Sequence, residues 1–506
     1  MKSIKLKNFR RFKDTGDIKI NDITIILGAN SAGKSTVTRI PAVIKQSSMA
    51  AGRSPILWSG DLVDYGYYEN LINNADSNPE LEFAFKCPMF RLSPYHRFNN
   101  TSLEEFDCKV NFKFSNDTDR VYADQVEYCF FDVKAICGIN PDGELSSISV
   151  NGFVFNTANV QIAEGIRRIV PVVTSSLNNQ ASGFIQYVSS SYLVPSYIDL
   201  MHDLIKGYFH GGSRKAKINA AALRIIQTAP WAIPEFLTFI KNTIGKEYHG
   251  QSIDQWVITS SEIRRIYATR VAACLPMITN HFNNVALMQA RSINYSMPIR
   301  STASRYYRLR DLSINDVSAD GANLAEVLAG LTPVNLIALS AYSKKHIDYD
   351  IRVLRTGGFM SIEVKSSMDT SFRNIADVGF GVSQILPIIV QSWLASKTVS
   401  SNKMEANPLF VIEQPELHLH PKMQANFADV AIAAVHTKGA KFLIETHSEP
   451  LIRRILKRVY EKTLNPESVS IYCVNAMCGG DSEINEAKVN LDGSLQDWPF
   501  DFFDSY

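Results

Sequence analysis

The chain holds 506 residues, with 52 basic against 50 acidic side chains and a net charge of +2. Hydrophobic residues make up 45% and charged residues 20%, the make-up of a globular protein with several structural units, which excludes a disordered or fibrous chain. The near-neutral balance excludes a uniformly basic nucleic-acid binder, and the lack of any run of about 18 apolar residues excludes a helical membrane span.

The opening residues Met1–Lys7 alternate polar and apolar and lack the apolar centre of a secretion signal, so a cytoplasmic location is expected. Seven cysteines are scattered without a C-x-x-C pair, which reads as free thiols in a reducing compartment and argues against disulfides and structural zinc. Ile4, Leu6 and Phe9 mark a first strand, Ile18 and Ile20 a short second one, with a turn over Asp14–Asp17. Arg10, Arg11 and Phe12 read as a surface hairpin in preference to a place beside a bound base. The aliphatic run Ile23–Leu27 predicts a buried strand.

Directly after it, Gly28-Ala29-Asn30-Ser31-Ala32-Gly33-Lys34-Ser35-Thr36 fits the phosphate-binding pattern G-x-x-x-x-G-K-[ST], and Val37–Ile40 reads as a helical turn. Strand, glycine loop and helix form the context this motif requires. Gly28 and Gly33 let the backbone curl so that successive N–H groups face phosphate oxygens. Lys34 is placed to reach the β and γ phosphates and the Ser35 hydroxyl to ligate Mg²⁺. Gly28, Asn30, Ser31, Ala32, Gly33, Lys34, Ser35 and Thr36 are therefore the candidate nucleotide-binding residues, with ATP and Mg²⁺ as the expected cofactors.

Residues 1–80 read as the first part of a nucleotide-binding head. Over 81–157 the pattern alternates, as in Leu81–Phe85, Cys108–Phe114 and Val126–Phe131, and predicts an antiparallel β subdomain. From 158 to 310 apolar residues recur at helical spacing in Ile198–Lys206, Ala220–Thr228, Pro234–Ile244 and Glu262–Asn280, predicting a mostly helical insertion interrupted by the basic loop Gly211–Lys217. The end of this stretch carries Arg291, Arg300, Arg305, Arg308 and Arg310 with Tyr295, Tyr306 and Tyr307 and no acid. Such a mix suits either a solvated edge or a partner surface, protein or nucleic acid.

Residues 311–506 return to the head. Gly321–Leu328 opens a helix and 351–364 is strand-like. Val378-Gly379-Phe380-Gly381-Val382-Ser383-Gln384 precedes an apolar helix over Ile385–Trp393 and reads as a second anion-binding loop; its resemblance to the signature loop of ABC-class ATPases implies that Gly381 and Ser383 meet a nucleotide held by an opposite subunit. Pro408–Pro421 contains the apolar strand Leu409–Ile412 ending in Glu413, a Walker B arrangement in which Glu413 holds the hydration shell of Mg²⁺. By resemblance to ABC-class ATPases, Gln414 stands where a glutamate would polarise the attacking water. An amide orients water but cannot take its proton. Three readings stand: slow hydrolysis, substitution by Glu416, or a glutamine installed to trap ATP. His418 and His420 read as a turn closed by Pro421 in preference to a metal pair. Lys441–Glu449 is a further strand ending in polar residues, and the resemblance to ABC-class ATPases implies that His447 is the switch histidine that contacts the γ-phosphate.

Asn8-Phe9-Arg10, the glycine loop, Gly379–Gln384, Glu413–Pro421 and Glu445–Ser448 together resemble the ABC-like, OLD-type (SMC-like) AAA ATPases of bacteria, the group that contains the ATPase subunits of the PARIS and Septu anti-phage systems. The resemblance covers about 1–75 and 311–506, and the ending Asp497–Phe503 is similar to the tail of one subgroup. It implies an α/β fold, an ABC-type P-loop ATPase head with a mixed sheet, an antiparallel β subdomain and a helical insertion. It also implies a homodimer, or a higher oligomer, closed over ATP sandwiched between heads. With 59 residues after His447, a C-terminal TOPRIM nuclease domain is not expected, and the implied partner is a separately encoded effector such as a TOPRIM or HNH nuclease, with a phage protein or DNA as trigger and no membrane.

Two other readings compete. An SMC-like ATPase of DNA repair or recombination is supported by the basic-aromatic run but lacks a sustained heptad pattern. The ATP subunit of a membrane transporter is weaker, because of the large insertion.

Overall fold

The computed structural model describes residues 1–50, 54–73, 80–90, 105–117, 120–163, 168–176, 194–209, 213–244, 253–298, 300–308, 316–397 and 406–496. The glycines at 211 and 212, Arg310 and the ending Asp497–Phe503 lie outside the described residues. The chain divides into two compact units, the first of Met1–Phe9, Gln46–Ser59 and Tyr65–Leu287, the second of Arg10–Lys45, Gly60–Asp64 and Met288–Tyr506.

The first unit is built on an antiparallel sheet. Its strands lie in the order Phe153–Phe155, Leu145–Val150, Val133–Ile139, Arg120–Phe130, Glu105–Asp117, Leu81–Phe90 and Ser3–Phe9. Register turns the period-two alternation into one apolar face. Leu6, Phe83, Phe112, Val126, Cys137 and Ile148 form a single buried row across six strands. The helices Pro195–Ile205, Lys215–Thr228, Ile233–Ile244 and Ser261–Ala273 belong to the same unit. Arg270, 1% exposed, caps the end of the Lys215–Thr228 helix by donating to the carbonyls of Ile226, Ala229 and Pro230, with its guanidinium 3.9 Å over the Trp231 ring.

The second unit carries a six-stranded sheet in the order Ile293–Ser296, Leu409–Glu413, Lys441–Glu445, Ile23–Gly28, Val469–Ala476, Ser482–Ala487. The first five strands are parallel and the last is antiparallel to its neighbour. Parallel strands are covered on both faces, which is why they read as unbroken apolar runs. Their core includes Ile25, Phe410, Ile412, Phe442, Ile444 and Ile471, with Phe410 and Phe442 stacked at 4.8 Å. Ser296, Glu413, Glu445 and Gly28 all stand at the carboxyl ends of their strands, the edge at which open α/β sheets bind ligands.

Two local expectations change. The strand-like run 351–364 is a hairpin, Tyr349–Thr356 against Phe359–Ser366, because Gly357 and Gly358 both take positive φ (57° and 84°) and turn the chain. The apolar helix expected from Ile385 begins five residues earlier and runs Phe380–Lys397. All seven cysteines are free. No helix among the described residues is long and apolar enough to cross a membrane.

Candidate nucleotide site

The glycine loop folds as its glycines require. Gly28 has φ 148°, and a Cβ there would stand 2.3 Å from the Val474 carbonyl oxygen. Gly33, at φ 101°, precedes the helix Lys34–Thr38 and backs onto the Phe12 ring, 3.0 Å from where a Cβ would be. The loop borders a cleft of about 360 Å³ lined by Arg10, Arg11, Asn30, Ser31, Gly33, Lys34, Ser35, Thr36, Gln414 and Glu445. Arg10 and Arg11 are exposed in a turn, the surface setting expected of them, and they also border this cleft.

Lys34 is buried and its Nζ donates to the Ala29 carbonyl at 2.7 Å. Burial lowers its pKa, and the carboxylates of Glu445 and Glu416 work against that shift. The Ser35 hydroxyl donates to Glu445 Oε1 at 2.8 Å. Glu445 is 2% exposed, and burial, reinforced by the facing Glu413, raises its carboxyl to about 7.

Glu413 pairs in register with Glu445 across neighbouring strands, yet its surroundings differ. Arg39 grips it with two parallel bonds, Nε to Oε1 and Nη2 to Oε2, each 2.8 Å. The Tyr295 hydroxyl donates to Oε1 at 2.6 Å, and Arg300 Nη2 donates to the Glu413 carbonyl at 3.3 Å. Glu413 is therefore tied behind the cleft and does not line it.

Gln414 does line the cleft. It holds a left-handed backbone, φ 44°, with its N–H donating to the Glu445 carbonyl at 2.7 Å. Glu416 is engaged elsewhere: Oε2 accepts from Thr446 Oγ1 and Oε1 from the His447 N–H, each at 2.7 Å. It thus braces the His447 loop. His447 is half-buried, and burial, then Lys34, lowers its pKa. Ser448 caps the following helix Glu449–Tyr460, accepting from the Leu451 N–H at 3.1 Å. His420 accepts from the Lys422 N–H at the start of the helix Pro421–Lys438, a capping role in place of a metal pair with His418.

Gly381 and Ser383 stand in the first turn of the helix Phe380–Lys397, where a Cβ on Gly381 would come 2.9 Å from the His418 carbonyl oxygen. Ser383 is buried and its hydroxyl donates to the Phe380 carbonyl at 2.8 Å. The cleft gathers Asn30, Ser31, Gly33, Lys34, Ser35, Thr36 and Gln414, whereas Gly28, Ala32, Gly381, Ser383, Glu413, Glu416 and His447 are not among the residues lining it.

The basic-aromatic run divides. Tyr295 and Arg300 are buried against Glu413, Arg305 pairs with Asp377 at 2.5 Å, and Arg291 and Arg308 are exposed. Sequence reasoning missed Arg39, Tyr295, Arg300 and the special place of Glu445. Only Glu445 carried a usable signal, an acid ending an apolar strand as Glu413 does.

The model of the AAA ATPase domain family matches residues 1–131 and 338–452. No curated protein matches the chain in sequence. Solved structures similar to it include the Smc head domain with an extended coiled coil bound to the C-terminal domain of ScpA, derived from Pyrococcus furiosus, at 14% identity over 96% of each chain and a TM-score of 0.34. An SMC head domain from Thermotoga maritima is 11% identical over 96% of this chain and 99% of that one, with a TM-score of 0.35. The matched family segments contain the glycine loop, Gly381, Ser383, Glu413, Glu445 and His447, while Tyr295 and Arg300 fall between them. The chain thus has the α/β fold of a P-loop ATPase head, and the two stretches that resemble the AAA ATPase domain family are distant in sequence.

Proposed function

We propose that this chain binds ATP with Mg²⁺ in the cleft, hydrolyses it slowly, and uses the bound state to close two copies of the head over two nucleotides. The observation that carries this reading is the gathering of Lys34, Ser35, Gln414 and Glu445, from three separate stretches of sequence, around one cleft at the carboxyl edge of the sheet.

The residues divide the work. Lys34 turns from the Ala29 carbonyl to the β and γ phosphates, and the loop N–H groups of 30–36 hold their oxygens. The oxygen donors beside the loop, the Ser35 hydroxyl and the Glu445 carboxylate, suit Mg²⁺, a hard cation bound through one or two carboxylates plus substrate phosphates. When bound, that ion neutralises charge on the transferring phosphoryl group. Gln414 orients the attacking water without accepting its proton, which sets a low rate. Glu416 holds Thr446 and His447 in place as a brace, and His447 senses the γ-phosphate. Gly381 and Ser383 form the edge that meets the nucleotide of the second copy.

At the level of the cell, we propose a cytoplasmic ATPase subunit of a bacterial anti-phage system, which senses a phage product and controls a separately encoded nuclease. Support for this is the resemblance of the motifs, and the ATP site as the centre of the second unit's sheet edge. Measuring ATP hydrolysis and oligomeric mass with and without ATP, for the native chain and Lys34→Ala, tests the enzymatic part. Co-expression with the product of the adjacent gene under phage challenge tests the cellular part. An SMC-like role on DNA loses support from Tyr295 and Arg300, which are buried against Glu413 and not displayed.

A further inference from the structure

The antiparallel sheet of the first unit buries one face and leaves a polar face behind it. On the strands Ser3–Phe9, Leu81–Phe90 and Glu105–Asp117, register arranges that polar face as a grid. Its rows are Ser3, Lys86 and Lys109, then Lys5, Ala84 and Asn111, then Lys7, Glu82 and Lys113. The rows alternate with the buried row of Leu6, Phe83 and Phe112, so the side chains of the grid point to the opposite side. Ala84, the smallest residue after the backbone itself, stands at the centre and is 3% exposed. A recess of about 60 Å³ opens there, lined by Lys5, Lys7, Glu82, Ala84, Lys109 and Asn111.

The patch carries an excess of one sign. Asp107 takes Lys2 at 2.7 Å and Lys86 at 2.8 Å, Glu82 takes Lys7 at 3.4 Å, and Glu80 takes Lys113 at 2.6 Å. With Lys2, Glu80 and Asp107 included, the patch still holds six lysines against three carboxylates among the described residues, an excess larger than the +2 of the whole chain. On the next strand Glu127 pairs with Lys134 at 2.8 Å and adds no net charge. Rows lie about 7 Å apart along a strand and strands about 5 Å apart, so neighbouring amines fall within about one Debye length at 0.1 M salt and act on a ligand jointly.

We infer that this face binds the phosphate backbone of a duplex nucleic acid without reading its sequence. The inference is independent of the ATP reading, since every residue it uses belongs to the first unit. The grid itself argues for this partner. Protein–protein interfaces are depleted in lysine and anchored by large apolar or aromatic side chains, whereas the grid has five lysines and no apolar residue except Ala84. No aromatic side chain stands in it to stack on the bases of a single strand. Lysine acts on phosphate as a point charge, a contact that positions a duplex and carries no sequence information.

The test uses the full chain and fluorescein-labelled duplexes of unrelated sequence, one set DNA and one set RNA, with binding read by fluorescence anisotropy. Duplex DNA and duplex RNA share the phosphate chemistry, and the two sets identify which of them binds. Affinity for at least one duplex is expected to be indifferent to sequence and to fall about a hundredfold between about 50 and 200 mM salt, the loss that about four phosphate contacts produce. The variant Lys5→Gln/Lys7→Gln/Lys109→Gln is expected to lose about tenfold or more at 0.1 M salt and to flatten the logarithmic salt slope by about three. The matching lysine-to-arginine variant should keep both. Lys206→Gln/Lys215→Gln, on exposed residues of the helical part of the same unit, should change affinity by less than about threefold. Thermal melts confirm folding, and if the triple variant does not fold, Lys5→Gln alone decides, with an expected slope change of about one. No binding to either duplex, tighter binding to single strands, unchanged affinity and slope in the glutamine variants of the grid, or a larger loss in Lys206→Gln/Lys215→Gln would each overturn the inference. So would displacement of the duplex by polyglutamate as effectively as by unlabelled duplex, which would assign the face to an acidic protein.

Discussion

Arg39 and Glu413 form a two-pronged ion pair with both bonds at 2.8 Å, in which the carboxylate is 1% exposed and the arginine side chain 33%. The pair fixes the strand end from which Gln414 turns into the cleft. Removing the arginine leaves a buried carboxylate with the Tyr295 hydroxyl as its remaining side-chain donor among the described residues. Arg39→Ala is therefore expected to cost about 3 kcal/mol of stability in chemical denaturation. The double variant Arg39→Ala/Glu413→Gln should recover more than half of that loss. Additive losses from the two single variants would show that the pair carries no coupling.

Gln414, directly after the strand Leu409–Glu413, lines the cleft and carries no titratable group. Gln414→Glu places a proton acceptor there, in the same left-handed backbone. Steady-state hydrolysis is expected to rise by about tenfold or more, within the range general-base catalysis supplies. An unchanged or lower kcat would mean that proton acceptance at 414 does not limit the rate.

Arg270 tests the first unit on its own. Its guanidinium satisfies three helix-end carbonyls and stacks on Trp231, and burial pushes its pKa down to about 10. Arg270→Ala leaves those carbonyls buried without their donor and is expected to cost about 3 kcal/mol, with Arg270→Lys restoring little, since an ammonium cannot span the fork. Thermal melts of the three proteins check this, and equal melting temperatures would contradict it.

His346 sits against Tyr342, with ring centroids 4.4 Å apart, and burial followed by the neighbouring Lys345 lowers its pKa below the ordinary 6.5. The folded chain therefore binds this proton less readily than the unfolded chain. Stability from this group is intact above the unfolded value and is lost as pH falls below 6.5 toward the lowered folded value. The half-exposed ring limits the effect to less than about 1 kcal/mol. His346→Gln should flatten the drop in melting temperature between about pH 7 and 5. A drop unchanged by the substitution would assign it to other groups.

The glycine loop, the strand before it and the acid-ended strand before Gln414 were legible because each is a local pattern, set by phosphate chemistry or by burial on both faces of a parallel sheet. The support behind Glu413 was not. Tyr295 lies 118 residues from it and Arg39 lies 374, and no periodicity within either stretch encodes such a meeting. Tyr295 and Arg300 carried the composition of a surface patch, and burial beside a carboxylate is a tertiary fact. The early start of the Phe380–Lys397 helix escaped for the opposite reason. Two glycines flanking Phe380 argue locally for a loop, while the close approach of Gly381 to the His418 carbonyl demands a small residue within a helix.

The most direct measurement is calorimetric titration of the purified chain with ATP and Mg²⁺, set beside Lys34→Ala. The side chain of Lys34 is buried and its burial disfavours the charge, so the alanine variant should still fold and lose ATP affinity by about a hundredfold or more, on the scale of a buried charged contact removed from its ligand. Saturable ATP binding by the native chain and its loss in the folded variant is the predicted result. Equal ATP affinity in both proteins, or none in the native chain, would contradict the account at its centre.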